Sequence, residues 1–154
     1  MKIVIAADHA GYTYKTILLN YLNKQGYEVI DLGIDNSEEA DDYPDRAADV
    51  SKAIIAKKAE RGILICGSAV GVSIAANKFE GIRAGVCHDT YSAHQSVEHD
   101  DVNVLCIGER VIGIELAKDI SVSFLKAKFS GEPRHVRRLE KIKALENKKK
   151  QYGR

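Results

Sequence analysis

No apolar run in this 154-residue chain is long enough to span a bilayer, so the sequence argues against a membrane protein. Strong charge of either sign is missing too. With 23 Lys and Arg against 22 Asp and Glu, the net charge of +1 gives bulk charge no case for nucleic acid. Cysteine is scarce: Cys66, Cys87 and Cys106 all sit in strand-like runs, and no two form a C-x-x-C pair. An odd number of thiols without metal spacing points to reduced cysteines in a cytoplasmic protein. The five histidines show no metal-ligand spacing either. Met1-Lys2 leads straight into a strand pattern, with no signal-peptide pattern before it.

What is present is a soluble globular composition, 45% hydrophobic and 29% charged. One domain is expected over 1–154, long enough to bury roughly two-thirds of its unfolded surface. Charge is unevenly placed. Seven acidic residues lie between Asp35 and Asp49 against Arg46 alone, and from Ser130 onward nine Lys or Arg face three Glu. Residues 134–154 therefore read as a basic C-terminal helix and tail, and such a run is ordinarily a solvated face.

The most informative stretch is 61–78. Gly62–Cys66 is a short apolar, β-branched run, the pattern of a buried parallel strand. Gly67–Gly71 is small and turn-forming, and Val70–Lys78 begins a helix. Cys66 thus falls at a strand tip beside backbone N–H groups and the positive end of a helix dipole. It is either a structural cysteine packed as a small hydrophobe or a reactive thiol.

Along the chain, strands are predicted at Lys2–Ala7, Glu28–Leu32, Gly62–Cys66, Ile82–Cys87 and Val102–Ile107. Between and after them come helices at about Thr13–Gln25, Arg46–Ala59, Val70–Lys78, Thr90–Glu98, Gly113–Phe129 and Arg134–Lys149. Gly33–Asp45 reads as an acidic loop, and Asp89 as a helix cap. Strict alternation argues for a three-layer α/β/α domain on a parallel sheet, which binds ligands at the carboxyl ends of its strands. Those ends carry Asp8 and His9, Cys66 to Gly71, Cys87 and His88, and Glu109 and Arg110. His99 and Asp100 are expected between a helix and the fifth strand, and Arg134 and His135 after a helix returning to the same, opposite edge. If they serve the same site, a second subunit must bring them, most simply in a symmetric homodimer.

Familiar templates fail. Gly67-Ser68-Ala69-Val70-Gly71 lacks the glycine and lysine offsets of a dinucleotide fingerprint or a P-loop. A cysteine-dependent tyrosine phosphatase needs arginine six residues past its nucleophile, where Val72 stands. Arginine forks suited to phosphate are nevertheless available at Arg110, Arg134 and Arg138.

Together these residues resemble the type B ribose-5-phosphate isomerases of the ribose/galactose phosphate isomerase family. Asp8-His9-Ala10-Gly11 is similar to its D-H-x-G, Asp42-Tyr43-Pro44 to its D-Y-P, and Gly62–Lys78 to its long G-I-L-I-C-G signature. His99, Asn103-Val104-Leu105, Gly108, Arg110 and the Arg134-His135…Arg138 set fall in matching places. The resemblance implies a five-stranded sheet of order 2-1-3-5-4 and a C-terminal helix. It also implies an aldose–ketose isomerase of the pentose phosphate pathway, interconverting ribose 5-phosphate and ribulose 5-phosphate through an enediolate. No metal or organic cofactor is implied, and the assembly is a homodimer or a dimer of dimers with shared clefts. In this reading Cys66 is the carbon base, Ser68 handles oxygen protons, and His99 helps open the furanose ring. Backbone N–H groups of Gly67, Ser68, Ala69, Val70 and Gly71 stabilise the oxyanion. Phosphate falls to His9, Arg110, Arg134 and Arg138, and sugar hydroxyls to Asp8 and Tyr43.

The sequence departs from the family pattern at three positions. Ser68 replaces threonine and keeps the hydroxyl. Ala69 replaces glycine, so a positive φ there becomes costly. Asp100 replaces an asparagine that contacts the reacting end of the substrate, and a carboxylate there would repel an enediolate. Substrate preference is therefore open to a hexose 6-phosphate (allose or galactose), and a non-catalytic sugar-phosphate-binding protein is the remaining alternative.

Overall fold

A computed structural model describes residues 1–33, 35 and 40–152. Strands β1 (Lys2–Ala7), β2 (Glu28–Asp31), β3 (Arg61–Cys66), β4 (Ala84–Val86) and β5 (Val104–Gly108) form a parallel sheet of order β2-β1-β3-β5-β4. Helices α1 (Tyr12–Lys24), α2 (Tyr43–Ile55), α3 (Val70–Ala76), α4 (Thr90–Asp100), α5 (Ile114–Lys126) and α6 (Pro133–Tyr152) pack around it, with a 3₁₀ turn at His9–Gly11.

The period-two alternation of the strands separates two cores. Ile3, Ile5, Ile63, Ile65, Leu105 and Ile107 meet Leu18, Leu22, Val97, Ile120 and Phe124 from α1, α4 and α5. Val4, Ala6, Leu64, Cys66, Val104 and Cys106 meet Ala47, Val50, Val72 and Ala76 from α2 and α3. Both faces are covered, which is why the central strands β1, β3 and β5 carry buried apolar runs rather than alternating with polar residues. The register pairs Ala7 with Ile65 and Cys66 with Gly108, so β1, β3 and β5 end level with one another.

Several boundaries differ from the sequence expectation. Helix α2 begins at Tyr43 rather than Arg46, because Pro44 in its first turn has a helix-compatible φ and no N–H to leave unpaired. It ends at Ile55 rather than Ala59, where Lys57 takes a φ of 56° and the Lys58 N–H closes on the Ala53 carbonyl at 2.9 Å. Strand β4 is only Ala84–Val86, with the Asn77 amide pairing both the N–H and the carbonyl of Ala84 at 2.8 Å. Helix α4 runs to Asp100, stopped by Asp101 at a φ of 50°. His99 and Asp100 are therefore helical, not in a connecting loop, although they still sit at the amino edge of the sheet. The expected acidic loop Gly33–Asp45 is interrupted: 34 and 36–39 lie outside the described residues.

Candidate active site

The site grows from the end of β3. Cys66 is 5% exposed, and its Sγ accepts the Ala69 N–H at 3.2 Å. Ser68 Oγ accepts the Val70 N–H at 3.4 Å. Ala69 itself is fully buried and held at a φ of 71°, the left-handed region, so the alanine in place of glycine is accommodated by strain rather than by a different turn. Ala69→Gly should release part of that strain. We expect a gain of about 1 kcal/mol in urea unfolding, reduced by glycine's larger unfolded-state entropy and the lost buried methyl. A destabilised glycine variant would show that the turn is at rest as it stands.

Neighbouring strand ends close around this turn. The Glu109 N–H donates to the Cys66 carbonyl at 2.9 Å and the Arg110 N–H to the Gly67 carbonyl at 3.1 Å. A Cβ on Gly67 would lie 3.3 Å from Arg110 Nη1, so the guanidinium rests over that glycine. Gly108 is required for the close approach: a Cβ there would meet the Ser68 carbonyl carbon at 2.9 Å. The first turn docks the same way, since a Cβ on Gly11 would sit 2.5 Å from the Ile65 carbonyl oxygen. Tyr43, on the first turn of α2, packs its ring on Gly71, where a Cβ would come within 2.7 Å.

These elements enclose a cleft of about 380 Å³ lined by Asp8, His9, Tyr43, Cys66, Gly67, Ser68, Gly71 and Arg110. Asp8 is 6% exposed, and its Oδ1 accepts the Ala10 N–H at 3.0 Å. Burial pushes the Asp8 carboxyl up, against the opposing pull of Ala10 and His9. His9 Nδ1 accepts the Asp41 N–H at 3.3 Å, so the neutral ring carries its hydrogen on Nε2. The other two thiols differ from Cys66 in position. Cys106 is fully buried and Cys87 nearly so, neither lines the cleft, and burial pushes both thiols up.

Four expected site residues are elsewhere. His99 and Asp100 lie on the last turn of α4, and Arg134 and Arg138 on the first two turns of α6. Asp100 is exposed and lines a second cleft of about 370 Å³ with Arg83, Ile142 and Leu145. Arg134 pairs with Glu132 at 2.9 Å. Val70 is 53% exposed and does not line the Cys66 cleft.

Other contacts went unassigned at the sequence level. Glu109 Oε2 accepts the Tyr14 N–H at 3.1 Å, capping a first-turn donor of α1 that Gly11 cannot serve. Tyr14 Oη donates to the Ile112 carbonyl at 2.8 Å. These two bonds tie the segment carrying Arg110 to α1. A polar residue directly after a strand was the only available signal for Glu109.

Level strand ends, with an arginine, a histidine and a thiol lining one cleft, fit the class of sugar-phosphate isomerases on an α/β sheet. The family model described as Ribose/Galactose Isomerase matches residues 3–142, and the chain belongs to that family. It is 47% identical to ribose-5-phosphate isomerase B of Escherichia coli over 148 residues, covering 96% of this chain and 98% of that one. The structure of ribose-5-phosphate isomerase B from Clostridium thermocellum superposes with a TM-score of 0.93 at 49% identity, covering 96% and 99% of the two chains. The enzyme of that name from Mycoplasma genitalium, solved with bound ribulose-5-phosphate, gives 0.89 at 40% identity, covering 95% and 96%.

Proposed function

We propose that this chain is a metal-independent, cytoplasmic ribose-5-phosphate isomerase acting through an enediolate. The observation that carries the reading is the placement of Cys66: a thiol at the tip of β3, opening on a cleft with Arg110 and His9, amid backbone N–H groups. In the aldose-to-ketose direction the Cys66 thiolate takes the proton from C2, and electrons move toward O1. The Cys66 thiol then returns that proton to C1, while Ser68 passes a proton from O2 to O1. Charge on the enediolate oxygens is met by N–H groups of the Gly67–Gly71 turn. Asp8 and Tyr43 hold sugar hydroxyls, and His9 and Arg110 hold phosphate.

His99, Arg134 and Arg138 reach a cleft of this kind when a second copy supplies them, so the working unit is a homodimer or a dimer of dimers. Supporting this, Val70 and Ile74 on the outer face of α3 are 53% and 57% exposed, an apolar surface that a second copy would cover. The first test is conversion of ribose 5-phosphate to ribulose 5-phosphate in excess EDTA. Higher kcat/KM on allose or galactose 6-phosphate would move the assignment to a hexose phosphate, and tight binding without turnover would make the protein a carrier.

Asp100 bears on that comparison. A carboxylate facing the enediolate from the second copy raises the energy of the transition state by charge repulsion. Asp100→Asn should therefore raise kcat/KM on ribose 5-phosphate by about fivefold, equivalent to about 1 kcal/mol. A fall instead would mean that the carboxylate contributes to substrate binding.

A further inference from the structure

The amino-edge cluster around His99 holds a second imidazole for which the reaction described above has no role. His135, in the first turn of α6, is 1% exposed, and its ring stacks on His99 with centroids 4.1 Å apart and planes 29° from parallel. Its Nδ1 lies 2.6 Å from Ser130 Oγ, which also accepts the Glu132 N–H at 3.2 Å. The Ser130 N–H in turn donates to the Glu98 carbonyl at 3.0 Å, beside His99 on α4. His135 Nε2 is buried and has no hydrogen-bond partner among the described residues. Packing alone would be better served by an apolar ring, because a buried nitrogen without a partner costs stability. Burial, and then the His99 ring and the nearby Arg134, hold the His135 imidazole below its ordinary pKa.

We infer that His135, fixed by Ser130, is a positioning residue that sets the plane of the His99 imidazole for opening the sugar ring. This rests on the isomerase reading. Ring opening moves one proton from the anomeric O1 hydroxyl to the ring O4 as the C1–O4 bond breaks and the C1=O1 bond forms. The electron pair of C1–O4 leaves on O4. An imidazole nitrogen that accepts the first proton and passes it on to O4 ends unchanged, provided it is aimed between the two oxygens. His99 is 31% exposed, paired only loosely with Glu98 at 3.8 Å, and so depends on the stack for its orientation.

The two directions of the reaction separate this role from a structural one. Ribose 5-phosphate binds as a closed furanose and must be opened. Ribulose 5-phosphate has its C5 oxygen esterified and stays open, and the aldose formed from it can leave and close in water. For His135→Ala, kcat on saturating ribose 5-phosphate should fall about tenfold or more, while kcat on saturating ribulose 5-phosphate stays within about twofold. His135→Phe restores a stacking ring but not the bond to Ser130, and should recover only part of the loss. Ser130→Ala, a surface change that removes the tether together with the acceptor of the Glu132 N–H, should show a smaller loss in the same direction. Equal losses in both directions, or none in either, would overturn the inference. Native protein inactive in both directions would instead overturn the isomerase reading and this one with it.

Discussion

Cys66→Ala should lower kcat for ribose 5-phosphate isomerisation by about 1,000-fold or more, with KM little changed. The magnitude follows from the role: carbon acids alpha to a carbonyl are weak, and a positioned base typically contributes about 10²–10⁴-fold. Substrate affinity should survive because phosphate and hydroxyl contacts come from other residues lining the cleft. Alanine removes one buried sulfur and with it the acceptor of the Ala69 N–H, so the melting temperature should fall by a few degrees while circular dichroism matches the native protein. Cys66→Ser is a sharper control, because a hydroxyl of similar size ionises far less readily than a thiol and should be nearly as inactive.

The second large effect concerns which chain completes the site. Arg134→Ala with Arg138→Ala should cost most of the activity by removing two phosphate forks. Mixed with Cys66→Ala under conditions that exchange subunits, the two inactive proteins should regain about a quarter of native activity. Random pairing makes half of the dimers mixed, and each mixed dimer has one site with a native thiol and native arginines. A mixture that stays inactive would place Cys66 and both arginines in the same chain's site, against their separation at opposite sheet edges.

Much of this architecture was legible from residue patterns. Alternating apolar strands and amphipathic helices gave the three layers, and level strand ends made Asp8, Cys66 and Arg110 neighbours. Strand order came from the family resemblance, since periodicity carries no information about which strand lies beside which. The cost of alanine at position 69 was legible, because a methyl group tells against a positive φ; that the turn keeps its left-handed conformation all the same was not. The early start of α2 was not, because Asp42-Tyr43-Pro44 suits a turn as well as a helix start. The pairing of His99 with His135 depends on how α4 and α6 dock, a relation between two distant segments that local spacing cannot express. The contact between Tyr14 and Glu109 was hidden for the same reason, the two being 95 residues apart in the chain.

Alkylation of the native protein tests the role of the thiol most directly. With iodoacetamide, peptide mass mapping should find Cys66 carboxamidomethylated in step with loss of activity. A phosphorylated sugar acid mimicking the enediolate should protect both, while Cys87 and Cys106 stay unmodified inside the fold. Labelling confined to Cys87 or Cys106, or full modification of Cys66 with activity intact, would contradict the assignment of this sulfur as the carbon base.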